Sequence, residues 1–198
     1  TKVMPGDTVM VHHTTITPCQ KEYLLAFHKP AGIVCTTSKI DKNNVIDYLN
    51  FPERIYPVGR LDKESTGLLL LTNNGQLMDD ILRGSNYHEK EYIVHVNKPI
   101  TDSVLQAMAQ GVPILDTITR PCKIRRMGKD CFYITLTQGL NRQIRRMCEY
   151  FDYRVTSLKR IRIMNIELGS LPVGKWRELT PSEIKTLKNL AQNKGEAE

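Results

Sequence analysis

Residues 59–75, GRLDKESTGLLLLTNNG, combine a polar loop with a continuously apolar run. The apolar residues, 68–71, precede an Asn-Asn-Gly turn sequence and are far too few to cross a bilayer, which takes roughly 20 residues. This pattern predicts a strand over residues 67–72 that is buried on both faces and ends in a tight turn.

The loop before this strand places a carboxylate, Asp62, between Gly59 and Gly67. A loop anchored on a buried strand is a common location for reactive groups, because the strand fixes the loop in place. A solvated turn in which Asp62 pairs with the neighbouring Lys63 explains the same spacing. The loop by itself therefore does not establish a site.

The segment QGLNRQIRRMC, residues 138–148, predicts a helix with Asn141 as its N-cap. Apolar residues recur at helical spacing on one face, at positions 144, 147, 148 and 151. Arg142, Arg145 and Arg146 lie near the helix start, where the macrodipole is already positive. A bound phosphate or carboxylate would relieve this conflict, and an amphipathic surface helix with solvated arginines is the alternative.

The remaining strands and helices do not alternate regularly, which favours an α+β fold. Tyr92 and Val94 share one face of a strand predicted at residues 88–96. The final helix has the clearest end signal, with Thr180 as N-cap and Glu183 three residues later, and runs to about residue 191. Further strands are predicted at residues 8–11, 23–28, 33–35, 118–126 and 132–137, and further helices at 43–49, 76–82 and 101–110.

The composition is that of a globular protein: 198 residues, of which 40% are hydrophobic and 25% charged. The five cysteines form no C-x-x-C pair and are odd in number, so they predict neither a disulfide framework nor a zinc site. This cysteine usage favours a reducing, cytoplasmic setting. No charged-then-apolar leader sequence is present, so secretion is not indicated.

The net charge of +7 is concentrated in one region. Residues 120–177 contain 14 Lys and Arg against 4 Asp and Glu, a local charge of +10. The rest of the chain has 14 basic against 17 acidic residues, or −3. A basic region on an otherwise slightly acidic protein favours a nucleic-acid partner, with an anionic membrane or plain solubility as competing explanations.

Several classes of enzyme lose support from missing motifs. The sequence contains no Walker loop, no G-x-G-x-x-G and no G-x-S-x-G, which argues against nucleotide hydrolysis, hydride transfer and serine esterase chemistry. The five histidines form no H-x-x-x-H pair and do not cluster with cysteine, so we expect no metal.

Three segments together resemble a known enzyme family. They are GRLD at residues 59–62, KEY at 90–92 and GLNRQIRRM at 139–147, and their order and spacing are similar to the signature segments of RNA pseudouridine synthases. The resemblance is to one group of these enzymes. It comprises synthase A, which acts on RNA of the small ribosomal subunit, and synthases B, E and F, which act on RNA of the large subunit. The wording YPVGRLD at 56–62 is typical of that group, and KPAG at 29–32 is similar to its opening motif.

The resemblance implies a particular fold and domain organisation. The expected fold is the pseudouridine synthase fold, a mixed, mostly antiparallel central sheet with flanking helices and an active-site cleft across it. Residues 19–191 are then the catalytic domain, and residues 192–198 a polar tail. Residues 1–18 are expected to be the end of a truncated RNA-binding domain of the ribosomal protein S4 type together with a linker, so the chain is expected to be a fragment.

The resemblance also implies roles for individual residues. It makes Asp62 the catalytic aspartate, Tyr92 the aromatic residue that packs against the target base, and Arg145 the ionic partner of the aspartate. Arg142 stands where several relatives have histidine, and we expect it to contact phosphate. The residues expected to bind RNA are Arg60, Lys90, Arg142, Arg146 and Lys29.

The implied reaction breaks the N1–C1′ bond of a uridine and joins C5 to the same sugar carbon. It requires no cofactor and no metal in principle. An ionised aspartate can act as nucleophile at the sugar, as nucleophile at the base, or as base at C2′, and the sequence does not choose among these. The base must first be extruded from the folded RNA, at a cost of a few kcal/mol, and stacking on an aromatic ring returns part of that cost.

The implied substrate is 23S ribosomal RNA, with a transfer RNA as a further candidate, for a cytoplasmic monomer that does not bind membranes. Two other hypotheses fit the residues. An N-glycosidase also attacks C1′, but it usually needs two opposed carboxylates, and Asp62 with Glu64 does not ensure that geometry. A non-catalytic RNA-binding module would use the basic region at residues 120–177.

Overall fold

The computed structural model describes residues 8–11, 14–16 and 21–192. Its five α-helices within these ranges are α1 (Val45–Leu49), α2 (Gly75–Leu82), α3 (Asp102–Gln110), α4 (Gln143–Tyr150) and α5 (Pro181–Gln192). Its strands there are β1 (Val9–Val11), β2 (Thr14–Ile16), β3 (Leu24–Lys29), β4 (Tyr56–Val58), β5 (Thr66–Thr72), β6 (Lys90–Val96), β7 (Pro113–Ile114), β8 (Thr117–Ile118), β9 (Lys123–Arg126), β10 (Cys131–Leu136), β11 (Val155–Ile163), β12 (Ile166–Glu167) and β13 (Trp176–Glu178).

One mixed sheet organises the described part of the chain. Its strand order is β13-β3-β5-β11-β6-β10-β9, with β12 beside β11 and β4 beside β5. The pairing of β5 with β11 is parallel, and the other pairs are antiparallel. Two short hairpins, β1–β2 and β7–β8, stand apart from this sheet. The predicted α+β class and the mostly antiparallel sheet are confirmed.

The half of the sheet around β3 and β5 is covered on both faces. Leu68 and Leu70 pack on one side in a core that α2 and α5 share, while Leu69 and Leu71 pack on the other side with α1 and the Asp62 loop. A strand enclosed in this way must be apolar on both faces, which is why β5 has no alternation in its sequence. The predicted buried strand at residues 67–72 is confirmed.

The other half of the sheet, from β11 to β9, has one apolar face. Val94, Phe132 and Leu158 pack there against α3 and α4 in the third core. The predicted face of β6, with Tyr92 and Val94 together, is confirmed. The other face of this half is not covered by a core. The strands of this half therefore differ in burial from residue to residue and include charged residues.

The two halves meet along a very short stretch of β5. β11 pairs with Thr66 and Gly67 at the start of β5, whereas β4 pairs with residues 70–72 on the same strand. The Leu68 carbonyl lies between these two pairings and accepts a 2.7 Å hydrogen bond from Arg160 Nε. The divergence of β4 and β11 leaves room for a cleft directly beside the loop that precedes β5.

Gly67 allows this close approach of the two halves. An ideal Cβ on Gly67 would lie 2.2 Å from the Arg160 carbonyl oxygen, and the residue has a φ of +107°. We therefore expect Gly67→Ala to lower the free energy of unfolding by about 3 kcal/mol or more, because the clash is with backbone. Urea unfolding measures the change.

Gly75→Ala is the matched control for this substitution. Gly75 begins α2, and a Cβ there meets nothing within 4 Å. Its effect on the free energy of unfolding is expected to stay within about 1 kcal/mol. Equal stability of the two variants would show that the β5–β11 contact is not tightly packed.

Two predicted helix starts are confirmed. Thr101 caps α3 through a hydrogen bond to the Val104 amide. Thr180 and Glu183 exchange side-chain-to-backbone hydrogen bonds at the start of α5, which is the predicted capping box.

Three local predictions are wrong. Arg142, not Asn141, is the N-cap of α4, and it has no side-chain capping bond. Residues 33–35 form a single bridge from Val34 to Asn44 instead of a strand. The strand predicted over 118–126 is divided, because β8 forms a hairpin with β7 and only Lys123–Arg126 joins the main sheet.

The predictions for the two ends of the chain fall partly outside the described residues. The strand predicted at residues 8–11 is present as β1. Residues 14–16 of the expected S4-type tail and linker form β2, while its residues 1–7, 12–13 and 17–18, residues 19–20 of the expected catalytic domain, and the expected polar tail from residue 193 onward lie outside the described residues. Within the ranges that are described, no helix has both the length and the apolar character needed to cross a membrane.

Candidate active site

The segment that follows β3 anchors the loop that contains Asp62. The Leu61 amide donates to Cys35 Sγ at 3.4 Å, and the Gly32 amide donates to the Lys63 carbonyl at 2.7 Å. Within the loop, the Ser65 amide donates to the Asp62 carbonyl. Leu61 itself is buried in the core beside α1, so Asp62 follows directly on an anchored residue.

Lys29 holds the same loop from inside the protein. Its side chain is fully buried, and Nζ donates to the carbonyls of Pro30, Lys63 and Ser65 at 2.7, 3.3 and 2.8 Å. Burial lowers the pKa of Lys29, and the nearby Cys35, Glu64 and Asp62 oppose that shift. The expectation that Lys29 binds RNA is corrected, because its three donors are occupied and it has no exposed surface.

Asp62 and Arg145 are brought together from residues far apart in the sequence. Arg145 Nε donates to Asp62 Oδ2 at 3.3 Å, and its Nη2 donates to Ser65 Oγ at 3.0 Å. The Arg145 side chain is 12% exposed and that of Asp62 is 27% exposed. The anion predicted at the start of α4 is thus the protein's own carboxylate. Among the described residues, the Asp62 carboxylate accepts a side-chain hydrogen bond at Oδ2 only.

Arg142 approaches the same carboxylate from the more exposed side. Its Nη1 lies 3.7 Å from Asp62 Oδ2 and 3.5 Å from Glu64 Oε2, and its side chain is 40% exposed. The pKa of Glu64 is lowered by its own backbone amide first and then by Arg142 and Arg145. Arg142 thus bridges the two loop carboxylates.

The backbone at Arg142 is in the left-handed region, with a φ of 50°. Two hydrogen bonds between Leu140 and Gln143 close a turn around it. The Leu140 amide donates to Gln143 Oε1, and the Gln143 amide donates to the Leu140 carbonyl. Gln143 is buried and also donates to Gln138 Oε1. Such a conformation costs of order 1 kcal/mol for a non-glycine residue and is frequent at functional sites.

Tyr92 and Lys90 occupy the same face of β6, two residues apart. Arg160 is paired with Tyr92 across β11 and β6, and its guanidinium carbon lies 6.0 Å from the centre of the Tyr92 ring. Burial, and to a smaller degree the charge of Arg160, lower the pKa of Lys90 to about 8. This strand pair therefore presents an aromatic ring with two cations nearby.

These groups line a single cleft of about 760 Å³, a volume within the range of small-ligand sites, roughly 300 to 1,000 Å³. The cleft brings together five of the predicted site residues, and Arg145 does not line it but binds Asp62, which does. Arg146 is not part of the lining, since its guanidinium is held by the Asn141 carbonyl and side chain at 3.0 and 3.1 Å. The five lining residues are Arg60, Asp62, Lys90, Tyr92 and Arg142.

Three contributors to the site were not predicted. Ser65 orients Arg145, Gln143 shapes the start of α4, and Arg160 lines the cleft from β11. Arg160 lies in β11, a strand that was not predicted. The available signal was the alternation of arginine and isoleucine over residues 160–163, which is compatible with a strand.

The cleft combines an anchored carboxylate, a guanidinium that stabilises its charge, and an aromatic ring on an adjacent strand. Such a set suits attack on, or stabilisation of, an electron-poor sugar carbon whose base is stacked on the ring. Burial raises the pKa of the Cys148 thiol to about 12 and that of the half-buried Cys122 thiol to about 11, so these two thiols are poor nucleophiles near neutral pH.

Comparison with known proteins identifies the class. The family model described as RNA pseudouridylate synthase matches residues 23–150, which include the Asp62 loop, Tyr92 and Arg145, and the chain belongs to this family. The resemblance in its signature segments is thereby confirmed.

Individual relatives agree with this assignment. The chain is 50% identical over 194 residues to the dual-specificity RNA pseudouridine synthase RluF of Escherichia coli K12, covering 97% of this chain and 67% of that protein. It is 33% identical to the ribosomal large subunit pseudouridine synthase B of Bacillus subtilis, covering 97% and 82%. A crystal structure of a pseudouridylate synthase superimposes with a TM-score of 0.79 at 28% identity, covering 94% of this chain and 83% of that chain.

Proposed function

We propose that this RNA pseudouridine synthase modifies uridine in 23S ribosomal RNA and in a transfer RNA. The similarity to a dual-specificity enzyme and to an enzyme of the large ribosomal subunit supports both substrate classes. The basic residues around the cleft supply the charge that a polyphosphate requires. We further propose that the chain acts as a cytoplasmic monomer.

The single observation on which the catalytic assignment depends is the Asp62–Arg145 contact inside the cleft. Asp62 is the proposed catalytic residue, and it acts at the sugar or the base of the target uridine. Arg145 orients the carboxylate through the hydrogen bond from Nε to Oδ2, because a guanidinium and a carboxylate form a directional, charge-assisted pair. The Ser65 hydroxyl limits the rotation of Arg145.

Tyr92 is the proposed stacking partner of the extruded uracil. Stacking of a base on an aromatic side chain contributes about 1 to 3 kcal/mol, which offsets part of the cost of extrusion. Arg60 and Arg142 are the proposed phosphate contacts at the cleft, and Arg146 is one on the adjoining surface of α4. The catalytic domain is proposed to span residues 19–191.

Release of tritium from RNA labelled at uracil C5 tests the choice of substrate. Transcripts of 23S ribosomal RNA and of transfer RNA are each expected to release label in proportion to the pseudouridine formed, without free uracil. Release from only one transcript would restrict the proposal to that RNA, and free uracil would instead indicate a glycosidase.

A further inference from the structure

Two cations in the cleft lack a carboxylate partner among the described residues. Arg160 is 3% exposed and uses Nε to bind the Leu68 carbonyl, while its Nη2 is buried without a hydrogen-bond partner. Lys90 is half-buried and donates no hydrogen bond to any residue in the described ranges. Buried charge without a partner is unfavourable, and such departures from local rules are concentrated at functional sites.

The positions of these cations complement that of Asp62. Asp62 lies on the loop before β5 and is ion-paired with Arg145 and Arg142. Lys90 lies two residues before Tyr92 on the same face of β6, and Arg160 on β11 is the cross-strand partner of Tyr92. A base stacked on Tyr92 is therefore bordered by an anionic group on the loop and by two cations on the strands.

The isomerisation creates charges on the substrate that are opposite in sign to these protein groups. When the N1–C1′ bond breaks, its electron pair stays on N1, so the uracil becomes negative and the sugar carbon becomes positive. The charge on uracil is shared with O2 and O4. When the C5–C1′ bond forms, C5 supplies the electron pair, the C5 proton leaves and N1 gains a proton, so no oxidant or reductant is needed.

We propose that Lys90, supported by Arg160, binds the oxygen edge of the detached uracil and stabilises its negative charge. This inference rests on the proposed function, because it assumes that the target base stacks on Tyr92. Asp62 then stabilises or captures C1′, while Lys90 keeps the uracil in the cleft during its rotation. Lys90 is thus a catalytic residue that contacts the reacting base, and Arg160 is a positioning residue behind it.

The charged form of Lys90 is the active one in this proposal. Lys90 shares the cleft lining with further charged and titratable groups from every surrounding element. These are Arg160 on β11, Tyr92 on β6, His88 just before β6, Arg83 after α2, Cys35 after β3, and Arg60, Asp62, Lys63, Glu64 and Arg142 across the cleft. Burial lowers the pKa of His88, so His88 adds little positive charge near Lys90. Loss of the Lys90 proton is expected to reduce kcat/KM as pH rises through about 8.

The test compares the wild-type chain with Lys90→Gln and Lys90→Arg. Single-turnover tritium release from C5-labelled RNA is measured beside RNA affinity, and kcat/KM is measured between about pH 6 and pH 10. Lys90→Gln is expected to slow the single-turnover rate about 100-fold while RNA affinity changes less than about threefold. Lys90→Arg is expected to keep activity within about tenfold and to move the decline near pH 8 upward by about one pH unit or more, since arginine stays charged.

Lys159→Gln is the matched control, because Lys159 is the neighbour of Arg160 but points to the opposite face of β11. It is expected to leave the single-turnover rate within about twofold of wild type. A loss confined to RNA affinity in Lys90→Gln would make Lys90 a phosphate contact and overturn the proposal, as would an unchanged pH profile in Lys90→Arg. Failure of the wild-type chain to release tritium would instead refute the proposed function.

Discussion

Asp62→Asn is expected to reduce single-turnover tritium release from C5-labelled RNA by at least about 10⁴-fold, the order of loss seen when a principal catalytic group is removed. The amide cannot act as a nucleophile or a base, although its oxygen still accepts the hydrogen bond from Arg145 Nε. The fold is therefore expected to survive, with the free energy of unfolding changed by no more than about 1 to 2 kcal/mol.

Glu64→Gln is the control for this substitution. Glu64 is the other carboxylate of the loop, it shares Arg142 with Asp62, and its side chain is 62% exposed. A loss of less than about threefold is expected, because Glu64 is exposed and the hydrogen bonds of Arg145 go to Asp62 and Ser65. A comparable loss in both variants would favour a two-carboxylate glycosidase mechanism, and retained activity in Asp62→Asn would place the reaction elsewhere.

Arg145→Ala is expected to lower the single-turnover rate by about 10² to 10³-fold with little change in RNA affinity. The substitution removes both the partner of Asp62 and the link to Ser65, so the carboxylate loses its orientation. Added guanidinium ion is expected to restore part of the rate, because a small cation can occupy the space that the side chain leaves. A purely structural role would not permit such rescue.

Arg146→Ala is the matched comparison on the same helix. Arg146 is the next residue of α4, but it binds Asn141 and not Asp62. We expect weaker RNA binding with a single-turnover rate within about threefold of wild type. A larger loss of rate in Arg146→Ala than in Arg145→Ala would contradict the assigned roles.

Local sequence patterns predict the buried strand and the helix ends well. β5 is apolar on both faces because both faces are covered, and α5 begins with a capping box because Thr180 and Glu183 satisfy each other's amides. These features depend on residues a few positions apart, so a local pattern contains the necessary information. The contact of Asp62 with Arg145, 83 positions apart, was implied only by the family resemblance.

Other features depend on tertiary contacts that the sequence does not display. Asn141 has the side chain of a good cap, yet the Leu140–Gln143 turn places Arg142 at that position and directs Asn141 toward Arg146. From the sequence, Lys29 could bind phosphate, but in the fold its ammonium group binds three backbone carbonyls. Arg160 belongs to a strand so rich in basic residues that it does not resemble the core strand of a sheet.

A crystal structure of the Asp62→Asn variant with its RNA tests the central assignment most directly, because the substitution leaves the target uridine unreacted. We predict that the uracil is stacked on the Tyr92 ring, with C1′ against the side chain at position 62 and Arg145 still bound to that side chain. A target uridine bound outside this cleft, or one whose sugar faces away from position 62, would contradict the assignment.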